Sequence, residues 1–179
     1  MEKINKRLAV IFDMDGVIID SNPLIVISWK TFFEKHHMVL NDEQLNHYIF
    51  GRTAQETVSM VFPTGLAPEL INRFSDEVAA DVRRRYASEG QIVAGFTEFV
   101  KYLAAHGIAM AIATSAPTKN VNVVLELAGV SPYISRITDA SEVSHSKPHP
   151  EVYLKTAAKL GVPPSDCCVF EDSFSGIID

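Results

Sequence analysis

The segment Leu8-Ala9-Val10-Ile11-Phe12 is apolar without a break and stops abruptly at Asp13-Met14-Asp15-Gly16. Such a run suits a strand buried on both faces of a parallel sheet. Acids at its end put charge at the sheet's carboxyl edge, where open α/β sheets hold their ligands. Three later segments repeat the pattern: Ile108 to Ala113, the weaker Ile134 to Thr138, and Cys167 to Phe170. Helical stretches separate them. Phe96, Phe99, Val100 and Leu103 share one face of a helix that stops at His106-Gly107. Val121, Val124, Leu125 and Ala128 define a second, stopped at Gly129, and Tyr153, Ala157 and Leu160 a third, stopped at Gly161. The alternation predicts an α/β fold with a right-handed, doubly wound parallel-sheet (Rossmann-like) core.

Between Asp20 and about Gly90 no convincing buried strand occurs. Asn22-Pro23 reads as a helix start, with Asn as cap and Pro in the first turn. Ile25, Trp29, Phe32 and Phe33 follow at helical spacing. Thr53 with Glu56 reads as a capping box before a second helix, and Ile71, Phe74, Val78 and Val82 form the stripe of a third. The predicted organisation is a discontinuous core, residues 1–20 and 91–179, with an α-helical cap at 21–90 set over the sheet's carboxyl edge. The final Ser175-Gly176-Ile177-Ile178-Asp179 reads as the start of a helix, so the core is expected to be truncated there.

Composition narrows the partners. A net charge of -6 argues against nucleic acid and anionic membrane surfaces, which call for a clustered basic field. Arg83-Arg84-Arg85 lies among acids and reads as a solvated helix face. The charged opening Met1 to Arg7 is not followed by a leader-like apolar region, and no apolar stretch is of membrane-spanning length. Cys167 and Cys168, adjacent in the chain, are poor disulfide candidates, and the default location is cytoplasmic. The sequence leaves oligomeric state open, and a monomer fits.

Polar groups follow each strong apolar run: Asp13 and Asp15, Thr114 and Ser115, Glu171 and Asp172. Lys147 lies in the loop Ser146-Lys147-Pro148-His149-Pro150 ahead of a helix. Singly, each has a plainer role: a turn, a helix cap, a helix-start acid pair, a surface lysine. Parallel strands bring them all to one edge, where four carboxylates face one ammonium. Such a cluster calls for a divalent cation, and hard oxygen ligands point to Mg²⁺. His145 and His149 are spaced i, i+4, but Pro148 breaks the helix that would put them on one face, which argues against zinc there.

Asp13-Met14-Asp15-Gly16-Val17, Ala113-Thr114-Ser115, Ser146-Lys147-Pro148-His149-Pro150 and Phe170-Glu171-Asp172-Ser173 resemble the four ordered motifs of the haloacid dehalogenase superfamily. The helical insert resembles its small-cap branch, which includes β-phosphoglucomutase and many sugar-phosphate phosphatases. The resemblance implies that Asp13 is a nucleophile forming an aspartyl phosphate and that Asp15 is the general acid and then base. It implies Mg²⁺ held by the Asp13 and Asp172 carboxylates and the Asp15 main-chain carbonyl, with Glu171 a further ligand. Thr114, Ser115 and Lys147 would bind the transferring phosphoryl group. Asp15 favours phosphate esters over carbon–halogen bonds. The implied activity is that of a phosphatase acting on a small phosphorylated metabolite. A phosphomutase of the β-phosphoglucomutase kind is the alternative, and a non-catalytic binding domain or inactive fragment a further one. In β-phosphoglucomutase an arginine follows the cap-loop glycine by three positions, whereas here that place is Ala54, with Arg52 nearby as a substrate contact; Pro117 and Thr118 likewise depart from the mutase's second-motif loop.

Overall fold

The computed structural model describes residues 8–62 and 65–177; the charged opening and the last two residues of the sequence lie outside this range. Four strands, β1 (Ala9–Phe12), β2 (Ala109–Ala113), β3 (Arg136–Thr138) and β4 (Cys167–Phe170), form one parallel sheet in the order β3-β2-β1-β4. Between β1 and the next core helix lie α1 (Asn22–Lys35), α2 (Asp42–Ile49), α3 (Ala54–Val61) and α4 (Pro68–Glu89). The core helices are α5 (Phe96–Ala105), α6 (Thr118–Ala128) and α7 (Glu151–Leu160), and a short α8 (Phe174–Ile177) follows β4. No helix of the described residues is long and apolar enough to cross a membrane.

Strand alternation divides β1 between two layers. Val10 and Phe12 join Met110 and Ile112 in a cluster with Val100 and Leu103 of α5 and Val121 and Val124 of α6. Ile11 and Ala113 point the other way, to Val152, Tyr153 and Ala157 of α7. Burying both faces explains the unbroken apolar run, and each fully buried aliphatic or aromatic side chain contributes about 1.5–3 kcal/mol. Phe12 meets Phe96 edge-on at 5.2 Å and stacks with Phe170 at 5.4 Å. The α1–α4 segment continues the larger cluster through Trp29, Phe32, Phe33, Phe74 and Val78.

Three features depart from the sequence reading. Among the described residues the insert holds four helices, because α2 starts at a second capping box, Asn41 with Gln44. Only Leu45 and Ile49 of α2 are buried, so its apolar stripe is too sparse to announce it. At the start of α1 the N-cap position belongs to Ser21 and not to Asn22, and neither side chain caps the helix; both turn to the acids described below. The apolar run of β4 is not sandwiched: β4 is the sheet's outer strand, and Cys168, Val169 and Phe170 are exposed.

Candidate active site

Parallel register lines up the strand ends. Phe12 pairs with Ile112 on one side and Phe170 on the other, so Asp13, Ala113-Thr114 and Glu171 emerge side by side. The Asp13 N–H donates to the Phe170 carbonyl at 2.9 Å and the Thr114 N–H to the Thr138 carbonyl at 3.0 Å, extending the ladder to the site itself.

At the floor of the resulting cavity the Lys147 ammonium, only 2% exposed, donates to Asp13 Oδ1 at 2.9 Å and Glu171 Oε2 at 2.6 Å. Its Nζ lies 5.0 Å from the Tyr153 ring centre. Burial pushes the Asp13 carboxyl up to about 7 against the opposing pull of Lys147. Burial would lower the lysine, but Asp13, Tyr153 and Glu171 hold it above its ordinary value. Glu171 resists the upward push of burial because Lys147 attracts its charge, and it stays below the usual carboxylate range. Glu171 also accepts from the Tyr153 hydroxyl, and its other oxygen accepts from the Ser173 N–H at 2.9 Å and the Ser173 hydroxyl. Hydrogen bonds to both of its oxygens hold Glu171 in position beside the lysine.

Asp15 is held apart from this group. Its Oδ1 accepts from Ser21 Oγ at 2.7 Å and from the hydroxyl of Tyr86, a fully buried residue of α4. Burial raises the Asp15 pKa, with the Tyr86 and Ser21 hydroxyls opposing. Two carboxyls set in different surroundings, one paired with a lysine and one with hydroxyls, form the kind of arrangement that can divide acid and base roles between like groups.

The remaining motif residues fall around the same cavity. Thr114, 1% exposed, accepts the Ala116 N–H at 3.0 Å on its hydroxyl oxygen, leaving the hydroxyl hydrogen to point elsewhere. Ser115 Oγ donates to the Gly51 carbonyl at 3.1 Å, joining the second-motif loop to the loop before α3. Arg52 lines the cavity and donates through Nε to the His47 carbonyl at 3.3 Å. Of the arginine run, Arg84 and Arg85 pair with Asp81, while Arg83 reaches Asn120 Oδ1 at 3.2 Å and ties α4 to α6. Trp29, Val78 and Val82 give the upper wall its apolar character.

One carboxylate oxygen from each of Asp13, Glu171 and Asp172 lies within 4.8 Å of the other two. That donor set fits a hard divalent ion such as Mg²⁺. The Asp15 side chain is not in the group, consistent with a part limited to its main chain. Gly16 makes room for the Asp172 carboxylate: a Cβ there would stand 1.9 Å from Asp172 Oδ2, and its φ of 78° also favours glycine. Asn22 Nδ2 donates to the same carboxylate at 2.8 Å.

Four participants escaped the sequence reading: Ser21, Asn22, Tyr86 and Tyr153. Tyr86 continues the Val78–Val82 stripe at i+4, but periodicity cannot distinguish a packed ring from one whose hydroxyl reaches an acid. Tyr153 was legible as a core face residue of α7, with the same ambiguity.

Comparison with known proteins places this geometry. A family model described as haloacid dehalogenase-like hydrolase matches residues 10–178. A phosphorylated carbohydrates phosphatase of Thermotoga maritima is 28% identical over 169 residues, covering 94% of this chain and 78% of that protein. Hexitol phosphatase B of Escherichia coli is 32% identical over 176 residues, with 96% and 78% covered. Among solved structures, a HAD hydrolase of family IA, variant 3, from Entamoeba histolytica superposes with a TM-score of 0.84 at 27% identity, covering 96% of this chain and 78% of that one.

Proposed function

The chain belongs to the haloacid dehalogenase-like hydrolase family, and from that premise we propose that it is a phosphatase releasing phosphate from a small phosphorylated metabolite, a sugar phosphate or similar, through an aspartyl phosphate on Asp13. One observation carries the reading: a buried carboxylate at a strand end, ion-paired to a buried lysine at 2.9 Å, with a second carboxyl two residues on that accepts from the Ser21 and Tyr86 hydroxyls.

An Asp13 oxygen attacks phosphorus while the bond from phosphorus to the leaving oxygen breaks, and Asp15 gives its proton to that oxygen. In the second half, the Asp15 carboxylate takes a proton from water as its oxygen attacks phosphorus. The Asp13–phosphorus bond breaks, and phosphate and the Asp13 carboxylate are released. Lys147 opposes the negative charge gathering between nucleophile and phosphoryl oxygens, and Thr114 and the N–H groups of its loop receive those oxygens. The Ser21 and Tyr86 hydroxyls keep Asp15 from wandering. Mg²⁺, held by Asp13, Asp172 and the Asp15 carbonyl with Glu171 beside them, would supply charge neutralisation between the acids and the phosphate.

The helical segment 21–90 acts as a cap over the core formed by 1–20 and 91–179. Arg52 is its cationic substrate contact, and Ser115 serves the substrate side by holding the Gly51 loop. Both relatives named above act on phosphorylated carbohydrates or hexitols by name, which supports that substrate class.

The test is phosphate release from sugar phosphates, nucleotides and pyrophosphate, with Mg²⁺ and with EDTA, for the native chain and Asp13→Asn. Magnesium-dependent release that Asp13→Asn lowers by at least about 10³-fold is the expected result. Release that survives the substitution rejects the covalent mechanism. Conversion of β-glucose 1-phosphate to glucose 6-phosphate without free phosphate would instead identify a mutase.

A further inference from the structure

His145 and His149 flank Lys147 two residues to either side. Pro148 keeps them off a common helix, yet the structure brings them together by a different route. The His149 N–H donates to the Ser146 carbonyl at 2.9 Å, so the chain folds back on itself there. The two imidazole rings lie 4.6 Å apart, centre to centre, and 30° from parallel. Glu151, the first residue of α7, reaches into the same turn. Its Oε2 accepts from the Ser144 and His145 N–H groups at 3.0 and 2.9 Å and stands 3.1 Å from His145 Nδ1. One ligand atom from each of His145, His149 and Glu151 falls within 4.8 Å of the other two.

We propose that this turn is a second cation site, separate from the carboxylate cluster, taking a divalent ion of the Zn²⁺ class. Two imidazoles and one carboxylate suit Zn²⁺ and its transition-metal neighbours, whereas Mg²⁺ takes oxygen ligands. Ligand atoms around tetrahedral zinc, each about 2.0–2.1 Å from it, lie roughly 3.3 Å apart. His145 Nδ1 and Glu151 Oε2 already stand near that spacing. Both histidines are exposed, so the ring of His149 can rotate in without moving the backbone, exchanging its 3.2 Å contact with the Glu151 N–H for the metal bond. Glu151 is already held at the turn, by the loop's own N–H groups on Oε2 and by Lys155 Nζ, 2.5 Å from Oε1. Three protein ligands on an exposed turn leave the remaining positions to water, the open form of a zinc site. A bound ion joins both flanks of the loop that carries Lys147.

Calorimetric titration of the whole chain with Zn²⁺, with Mg²⁺ in excess, tests this. One Zn²⁺ per chain is expected, with affinity at least about tenfold weaker in His145→Ala/His149→Ala, since losing ligands costs no less than losing their supporting partners. Asp172→Asn, which touches only the carboxylate cluster, should retain the binding. Thermal melts of all three proteins guard against misfolding: Zn²⁺ should raise the Tm of the native chain and Asp172→Asn and leave the histidine variant unmoved. Equal Zn²⁺ binding by the histidine variant, loss of binding in Asp172→Asn, or no binding by the native chain would each overturn the site.

Discussion

The floor of the cavity and its roof hold their side chains in opposite ways. At the floor, Asp13, Lys147 and Glu171 sit on strand ends and on the loop before α7, nearly dry, each satisfied chiefly by the others. At the roof, Trp29, Val78 and Val82 come from helices of the insert and present carbon, with Asn22, Arg52, Thr57 and the Tyr86 hydroxyl among the polar exceptions. A floor built of mutually dependent charges should be intolerant of any single change, in activity and in stability together. A roof built of separate side chains should yield its contributions one at a time.

The largest effect is expected at Lys147. In Lys147→Met two buried carboxylates lose their shared cation. Breaking a buried pair on one side costs about 3–5 kcal/mol, and the Asp13 pKa, which burial raises and Lys147 holds down, moves higher still. Turnover should fall by about 10³-fold, and urea midpoints should fall with it. Lost activity at unchanged stability would mean that the floor charges are not coupled as the distances imply.

Tyr86 tests the roof where it touches the chemistry. Tyr86→Phe removes one hydroxyl donor from Asp15 and leaves the ring in its packing. Because the hydroxyl acts through Asp15, kcat should fall by about 10²-fold, at the low end of what acid–base catalysis contributes, with KM nearly unchanged. In an Asp15→Asn background the further loss should disappear, since residues acting as one unit are non-additive. Full additivity would separate Tyr86 from Asp15 and make it a packing residue.

The same division governs how much could be read from the sequence. An apolar run ending in polar residues is a local pattern, and β1, β2 and β4 with Asp13, Asp15, Thr114, Glu171 and Asp172 follow from it directly. Parallel register then does what spacing cannot, placing Lys147 within 2.9 Å of a residue 134 positions earlier. The roof has no such grammar. Tyr86 and Ser21 are ordinary helix-stripe and linker residues until the chain is folded, and α2 offers too few buried positions to show a period. The exposure of β4 was illegible for a related reason: an apolar strand reads alike at the centre of a sheet and at its edge.

Arg52 should separate binding from chemistry. Its guanidinium lines the cavity but lies outside the Asp13–Lys147–Glu171 group. Arg52→Ala is expected to raise KM by about tenfold, the worth of one hydrogen bond to a charged group, while kcat holds. A fall in kcat instead would show that this contact is made mainly in the transition state.

Asp81 gives the smallest effect and isolates the insert from the chemistry. It accepts from Arg85 Nε at 2.9 Å and from Arg84 one turn along α4. Burial acts to raise its pKa, but hydrogen bonds from Arg85, Arg84 and Ser28 hold it at about 2. The folded value lies below the unfolded one of about 3.9, so the unfolded chain binds more protons in between. The stabilisation is therefore complete above about pH 4 and is lost as pH falls toward about 2. The side chain is partly open to solvent, and pairs of this kind are worth about 0.5 kcal/mol. Asp81→Asn should show that deficit in urea melts at pH 7, narrowing progressively below about pH 4, with kcat and KM unchanged. A deficit that persists undiminished in acid would mean that Asp81 supports α4 by shape and not by charge. A change in kcat would mean that the roof is coupled to the floor after all.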